Sequence, residues 1–357
     1  MNNKKRYKEL IAFHPGSYVE DIIDDLNITQ EEFAFRLGEL PKTVSKLVNG
    51  EIKLSAEVAY KLEKLTGVDY QTWMNLQSGY DKKIIEIENE KCSDEPDIAD
   101  GIDISYFKKC NFLEDRAYKK HEKISCLRNI FNVSNLSYLN VFNPSVSYRN
   151  IKDFQQKSIV NSNIMLELAS KIARDKTDTK LDKNKLRALL PEIKNMISQD
   201  INTFFPILEK KLLECGIVLI ALPHLKNSNL HGATKKFKNG SVLLLVTDRN
   251  KFADIFWFSL MHEIGHILNG DFYTDIDSYE TKEREADAFA QDFLISPDDY
   301  GRFVDSGDFS KDSIVEFSAK IGMPPFIVAG RLKKDGYIDY AEHSDLMLQY
   351  EVTFHVA

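Results

Sequence analysis

Two histidines four residues apart, His262 and His266, flank Glu263 in the run His262-Glu-Ile-Gly-His266. Residues i and i+4 share one face of an α-helix, so both imidazoles can reach one ion. Glu263 lies about 100° round the helix from His262, near enough to take a proton from water that such an ion activates. A buried helix with two satisfied core histidines is the bland alternative. The flanking residues speak against it: Phe256, Trp257, Phe258, Leu260 and Met261 make the segment apolar, and two unpaired imidazoles with a carboxylate would be costly there.

A third ligand is needed. A glycine at 269 and a histidine at 272 would supply one kind of extended motif, but the chain has Asn269 and Phe272. Downstream, Glu283-Arg-Glu-Ala-Asp287 falls on an expected helix. Glu283 is the candidate third ligand. Asp287, one turn later, can accept the free ring N–H of a ligating histidine. Glu285 points to the far side and is expected in solvent. Taken alone, the same run would suit a solvated acidic helix. Three protein ligands leave one position open, as in a catalytic rather than a structural zinc site. His224 and His231 are further candidates for stabilising an oxyanion, and Tyr273 and Tyr279 lie between the two motifs. Single residues of these types more often serve the surface or the core.

These groups need a scaffold. Residues 216–223 and 241–248 read as buried strands, and residues 231–237 as an alternating strand at a sheet edge, where an extended peptide could add. Residues 252–268 read as a strongly apolar helix. Residues 282–295 form a second helix ending at Ser296-Pro297, and residues 313–334 two more. Before them, residues 106–150 carry helical patterns, 152–198 two or three amphipathic helices, and 201–215 another. At the other end, short helices are expected over residues 17–26, from Thr29 as N-cap to Leu37, over 41–48, over 55–67 and from Tyr70 onward. Residues 83–103 are acidic and polar, the tail of a helix leading into a linker.

The segment FWFSLMHEIGHIL followed by EREADAFAQDFLISP resembles the ImmA/IrrE metallopeptidases, intracellular zincins that cleave DNA-binding repressors. The resemblance spans about residues 150–340. It implies Zn2+ on His262, His266 and Glu283, Glu263 as base, and a protein substrate of the repressor or toxin-like regulator kind. Residues 14–80 resemble the HigA-type antitoxin branch of the Xre helix-turn-helix family. That implies a recognition helix over residues 41–48 in a major groove, with Lys42, Thr43, Ser45 and Lys46 at base edges. Gln30, Asn49 and Lys53 would hold phosphates. Double-stranded DNA would then bind through residues 29–53 of a homodimer. Leu40 and Pro41 stand where that family usually has a polar N-cap.

Composition sets limits. The chain has 357 residues, enough for two domains. Its 47 Lys+Arg against 55 Asp+Glu give a formal net charge of −8, which excludes a protein that coats nucleic acid or anionic membrane with its whole surface. Residues 1–80 carry ten basic and twelve acidic side chains, so any DNA contact must rest on a few lysines, doubled by dimerisation. Four cysteines without a CxxC pair suit a reduced, cytoplasmic setting. The basic start lacks the apolar stretch of a signal peptide, and no run of about 18 apolar residues suggests a membrane span. The expected fold class is α+β and mostly helical: an N-terminal all-α helix-turn-helix domain over 1–82, a linker over 83–105, a helical middle over 106–200, a zincin-like core with a small three-stranded or larger sheet and an HExxH helix over 201–340, and a tail over 341–357. The expected function is a zinc endopeptidase with its own DNA-binding domain. The alternative is an antitoxin-type transcriptional regulator whose zincin domain senses or binds a partner without turnover.

Overall fold

A computed structural model describes residues 4–92, 94–140, 147–148, 156–272 and 279–350. The chain divides into two compact units, Met1–Asp94 and Glu95–Ala357.

The first unit comprises β1 (Lys4–Tyr7), β2 (Leu10–Phe13), α1 (Pro15–Asp25), α2 (Gln30–Leu37), α3 (Pro41–Val48), α4 (Ala56–Thr66) and α5 (Tyr70–Cys92). The helices start and stop where capping chemistry dictates. Thr29 Oγ1 accepts from the Glu32 N–H at 3.2 Å, Ser55 Oγ from the Val58 N–H at 3.2 Å, and Gly38 and Gly67 end their helices in the left-handed conformation. Val19, Phe33, Val44, Leu47, Leu62 and Trp73 form the core. The antiparallel hairpin β1–β2 precedes these helices and was not among the expected elements. The stretch expected as a linker is mostly helical: residues 83–92 continue α5, and α6 (Glu95–Gly101) and α7 (Ile104–Lys109) open the second unit.

The second unit continues with α8 (Lys120–Phe131), β3 (Ser147–Tyr148), α9 (Gln156–Ala173), α10 (Lys183–Met196), α11 (Ile201–Glu214), β4 (Ile217–Leu222), β5 (Gly232–Lys236), β6 (Val242–Thr247), α12 (Ala253–Asn269), α13 (Tyr279–Leu294), α14 (Pro297–Ser306), α15 (Lys311–Ile321) and α16 (Pro325–Asp335). Its sheet is mixed, in the order β3-β5-β6-β4, with β4 and β6 parallel and β5 antiparallel to β6. Every residue of β6 is buried, because alternate side chains enter two different cores. Val242, Leu244 and Val246 join α10, α11 and α12 on one face. Leu243 and Leu245 join residues of α7, α8 and α9 on the other. The helical middle thus forms one layer of the same unit as the zincin-like core.

Two expectations need correction. The strand at 231–237 is not a bare edge, because β3 pairs with Ala233 and Thr234 on its outer side. The tail is not detached over its described part. Leu348 accepts from the Ala253 N–H at 2.9 Å, and Trp257 donates to the Tyr350 hydroxyl at 3.2 Å. The chain therefore returns to seal the N-terminal end of α12. Ser296-Pro297, expected only as the stop of α13, also starts α14, with Ser296 as its N-cap.

The first unit has a pH-sensitive cap. His14 is the N-cap of α1, and its Nδ1 accepts from the Gly16 N–H at 3.0 Å, so the folded state needs that nitrogen unprotonated. Burial holds the imidazole below its ordinary value, against the opposing influence of Asp81. The folded pKa is depressed, so His14 contributes stability that is fully present above its unfolded value, about 6.5, and is lost as pH falls below it. Urea unfolding followed by Trp73 fluorescence in a Trp257→Phe background should show a midpoint that declines from pH 7.5 to 5.5. In His14→Asn, which keeps a side-chain acceptor at the cap, that decline should be shallower. An equal decline would remove His14 from this role.

Candidate functional site

The site is made by the approach of α12 and α13. Small residues at the crossing set how close they come. A Cβ on Gly265 would lie 3.3 Å from the Ala286 Cα and 3.2 Å from the Phe289 ring. With both positions small, the polar residues of the two motifs meet between the helices. His262 Nε2 and His266 Nε2 lie 3.0 Å apart. Glu283 places its two carboxylate oxygens 3.4 Å from His262 Nε2 and 3.2 Å from His266 Nε2. One ligand atom from each of the three residues falls within 4.8 Å of the others.

This donor set fits a zinc ion. His262 Nδ1 lies 2.8 Å from Asp287 Oδ1. A neutral imidazole that donates its Nδ1–H there turns the Nε2 lone pair into the cluster. Both histidines are fully buried, and Glu283 is largely so. Two nitrogens on a tetrahedral centre at about 2.05 Å each would be separated by roughly 3.3 Å, close to the spacing found.

Glu263 is buried and faces β5. A Cβ on Gly232 would lie 2.7 Å from Glu263 Cγ and 2.9 Å from its Oε1, so only glycine at that strand position leaves the carboxylate its place. On the far side of the motif, Gly270 ends α12 with φ of 90° and turns the chain so that Asp271 Oδ2 sits 3.7 Å from His266 Nδ1. Neither Gly232 nor Asp271 stands out in the sequence. The one signal for Asp271 was a carboxylate directly after the glycine that ends a motif helix.

Glu285 is exposed, as expected. His231 precedes Gly232 at the start of β5. His224 is held apart from the cluster, with its Nδ1 3.4 Å from Ser228 Oγ and its backbone N–H donating to Asp248 at 2.6 Å; burial lowers its pKa. Tyr279 opens α13, and Tyr273 lies outside the described residues.

In the first unit, α2 and α3 form a helix-turn-helix. Lys42 and Thr43 lie in the first turn of α3, Ser45 and Lys46 in the next, Asn49 is its C-cap, and Gln30 starts α2. Lys42, Asn49 and Lys53 are exposed, and the other four are partly buried. Lys53 is engaged by Asp81 at 2.9 Å, so it would have to exchange that partner for a phosphate. Leu40 is the N-cap of α3 and makes no side-chain cap, which leaves the first turn of α3 without that hydrogen bond.

Comparisons with known proteins agree with this division. A helix-turn-helix family model matches residues 19–73, and the model of the IrrE N-terminal-like domain, a peptidase family, matches residues 216–333. An uncharacterized HTH-type transcriptional regulator of Escherichia coli (strain K12), YddM, is 36% identical over 66 residues, 18% of this chain and 70% of its own length. Virulence-associated protein I of Dichelobacter nodosus is 29% identical over 79 residues, 22% of this chain and 73% of that protein. Virulence-associated protein A' of the same organism is 34% identical over 82 residues, 23% and 69% respectively. All three cover only a region the size of the first unit. With both regions matched, the chain belongs to the Xre-type helix-turn-helix regulators through its N-terminal unit and to the IrrE/ImmA peptidase family through its second.

Proposed function

We propose that the second unit is a zinc-dependent endopeptidase acting on a regulatory protein, a repressor or toxin-like partner, and that the first unit brings it to double-stranded DNA as a homodimer. The observation that carries the reading is the convergence of His262, His266 and Glu283 beside a buried Glu263. Zinc held by those three residues would supply a Lewis acid for the scissile carbonyl and lower the pKa of water. Glu263 then accepts the proton of the attacking water on a carboxylate oxygen and returns it to the departing amide nitrogen. Gly232 keeps that carboxylate aimed by leaving it room. Asp287 fixes the tautomer of His262, and Asp271 stands beside the outer nitrogen of His266. On DNA, Lys42, Thr43, Ser45 and Lys46 present the recognition helix, while Gln30, Asn49 and Lys53 flank it toward phosphates.

Cleavage of a proteome-derived peptide mixture, read by mass spectrometry alongside zinc content, tests the peptidase. Glu263→Gln should cut at least about 100-fold more slowly while retaining zinc. Glu283→Ala should lose both zinc and cleavage. Full zinc content in a His262→Ala/His266→Ala double variant would contradict the reading. Chelator competition should show zinc held about 10- to 100-fold more weakly in Asp287→Ala. Gel shifts on the protein's own promoter DNA should weaken in Lys42→Ala and in Lys46→Ala. Where the substituted lysine neutralised a phosphate, the slope of log affinity against log salt should become shallower by about one. No shift at low salt would exclude the DNA-binding half.

A further inference from the structure

The first unit opens with four cations in five positions, Lys4, Lys5, Arg6 and Lys8. They are four of the ten basic side chains in residues 1–80. Residues 9–80 hold the other six, against twelve acidic ones. Within residues 4–13 only Glu9 opposes them. A charge run of this kind is ordinarily a solvated one, but here it is part of the fold. β1 pairs with β2, β2 packs on α5, and Ala12 of β2 is buried. Along β1, Lys4, Lys5 and Arg6 are exposed. No carboxylate pairs with them among the described residues: Lys4 lies 4.9 Å over the Phe13 ring, and Arg6 Nε donates to the Lys8 carbonyl at 3.4 Å.

The register says where these cations stand. Lys4 is opposite Phe13, so their Cα atoms lie about 5 Å apart. The next residue is His14, whose ring also hydrogen-bonds to the backbone of Ile52. Two residues further on, Gly16 abuts the carbonyl of Leu47, where a Cβ would come within 1.9 Å. The Lys4 end of β1 is therefore the end beside residues 47–53, which close α3 and carry Asn49 and Lys53. A strand rises about 3.4 Å per residue, so Arg6, on the same face as Lys4, follows about 7 Å along. The segment 47–53 has little positive charge of its own to offer, since Lys53 is held by Asp81 at 2.9 Å and Glu51 stands two residues before it.

Resting on the reading of the first unit as a DNA-binding one, we propose that β1 is a second DNA-contacting element, in which Lys4, Lys5 and Arg6 meet phosphates next to those expected for Asn49 and Lys53. The contact reads no bases. It adds affinity that is independent of sequence, beside a turn whose own lysine is paired.

The test uses the full chain, a labelled duplex of its own promoter DNA and an unrelated duplex of equal length, in anisotropy titrations from about 50 to 200 mM salt. Lys4→Ala/Lys5→Ala/Arg6→Ala should bind both duplexes about 10-fold or more weakly, and the slope of log affinity against log salt should become shallower by about two to three. Lys4→Arg/Lys5→Arg/Arg6→Lys, which keeps the charge, should keep affinity and slope. Unchanged binding in the alanine variant, weaker binding at an unchanged slope, or an equal loss in the charge-keeping variant overturns the proposal. Lys42→Ala and Lys46→Ala form a separate arm. If they weaken binding while the alanine variant of β1 does not, the helix-turn-helix binds DNA without β1 and only this proposal fails. If the unsubstituted chain binds neither duplex at low salt, the DNA-binding reading fails and the proposal with it.

Discussion

The cluster of His262, His266 and Glu283 depends on one constraint, the distance between two helices. Gly265 and Ala286 are small at the crossing of α12 and α13, and their closeness lets Glu283 reach across to both imidazoles. A Cβ at Gly265 would already press on the Ala286 backbone at 3.3 Å, so the crossing has little room for a larger residue. Asp287, one turn from Glu283 on the same helix, then falls within 2.8 Å of His262 Nδ1. One packing contact therefore sets both the ligand geometry and the tautomer that makes it usable.

That contact is held from outside by two hydrophobic layers. Trp257 and Phe256 of α12 pack with Phe204 of α11 and Tyr350 of the returning chain. The opposite face of the sheet is covered by α7, α8 and α9, so β6 runs through the unit without an exposed residue. A fully buried strand next to the motif helix gives the Glu263 carboxylate a rigid neighbour, because β5 is fixed by β6 along its whole length and Gly232 lies at its start. The site is built on regular elements, whose positions are less variable than those of loops.

The periodic parts of this arrangement were legible in the sequence. His262, Glu263 and His266 share a helix, Glu283 and Asp287 share another, and a 3.6-residue repeat is enough to say which residues face the same way. The helix limits at Thr29, Gly38, Ser55 and Gly67 were legible because caps are local chemistry. What depended on tertiary contact was not. Gly232 matters only because Glu263 lies beneath it, and Asp271 only because the chain folds back at Gly270. The unbroken apolar run of β6 said that both sheet faces are covered, but not which segment covers the second. The hairpin of residues 4–13 turns through Lys8 at φ of 51°, without the glycine or asparagine that usually marks such a turn.

The most direct test of the metal centre is zinc K-edge absorption spectroscopy on the purified full-length chain. The arrangement of α12 and α13 predicts one zinc per chain in a first shell of nitrogen and oxygen only, at about 2.0–2.2 Å, with imidazole scattering from two histidines. A sulfur shell at about 2.3 Å, a spectrum without imidazole scattering, or a chain that binds no zinc would contradict it.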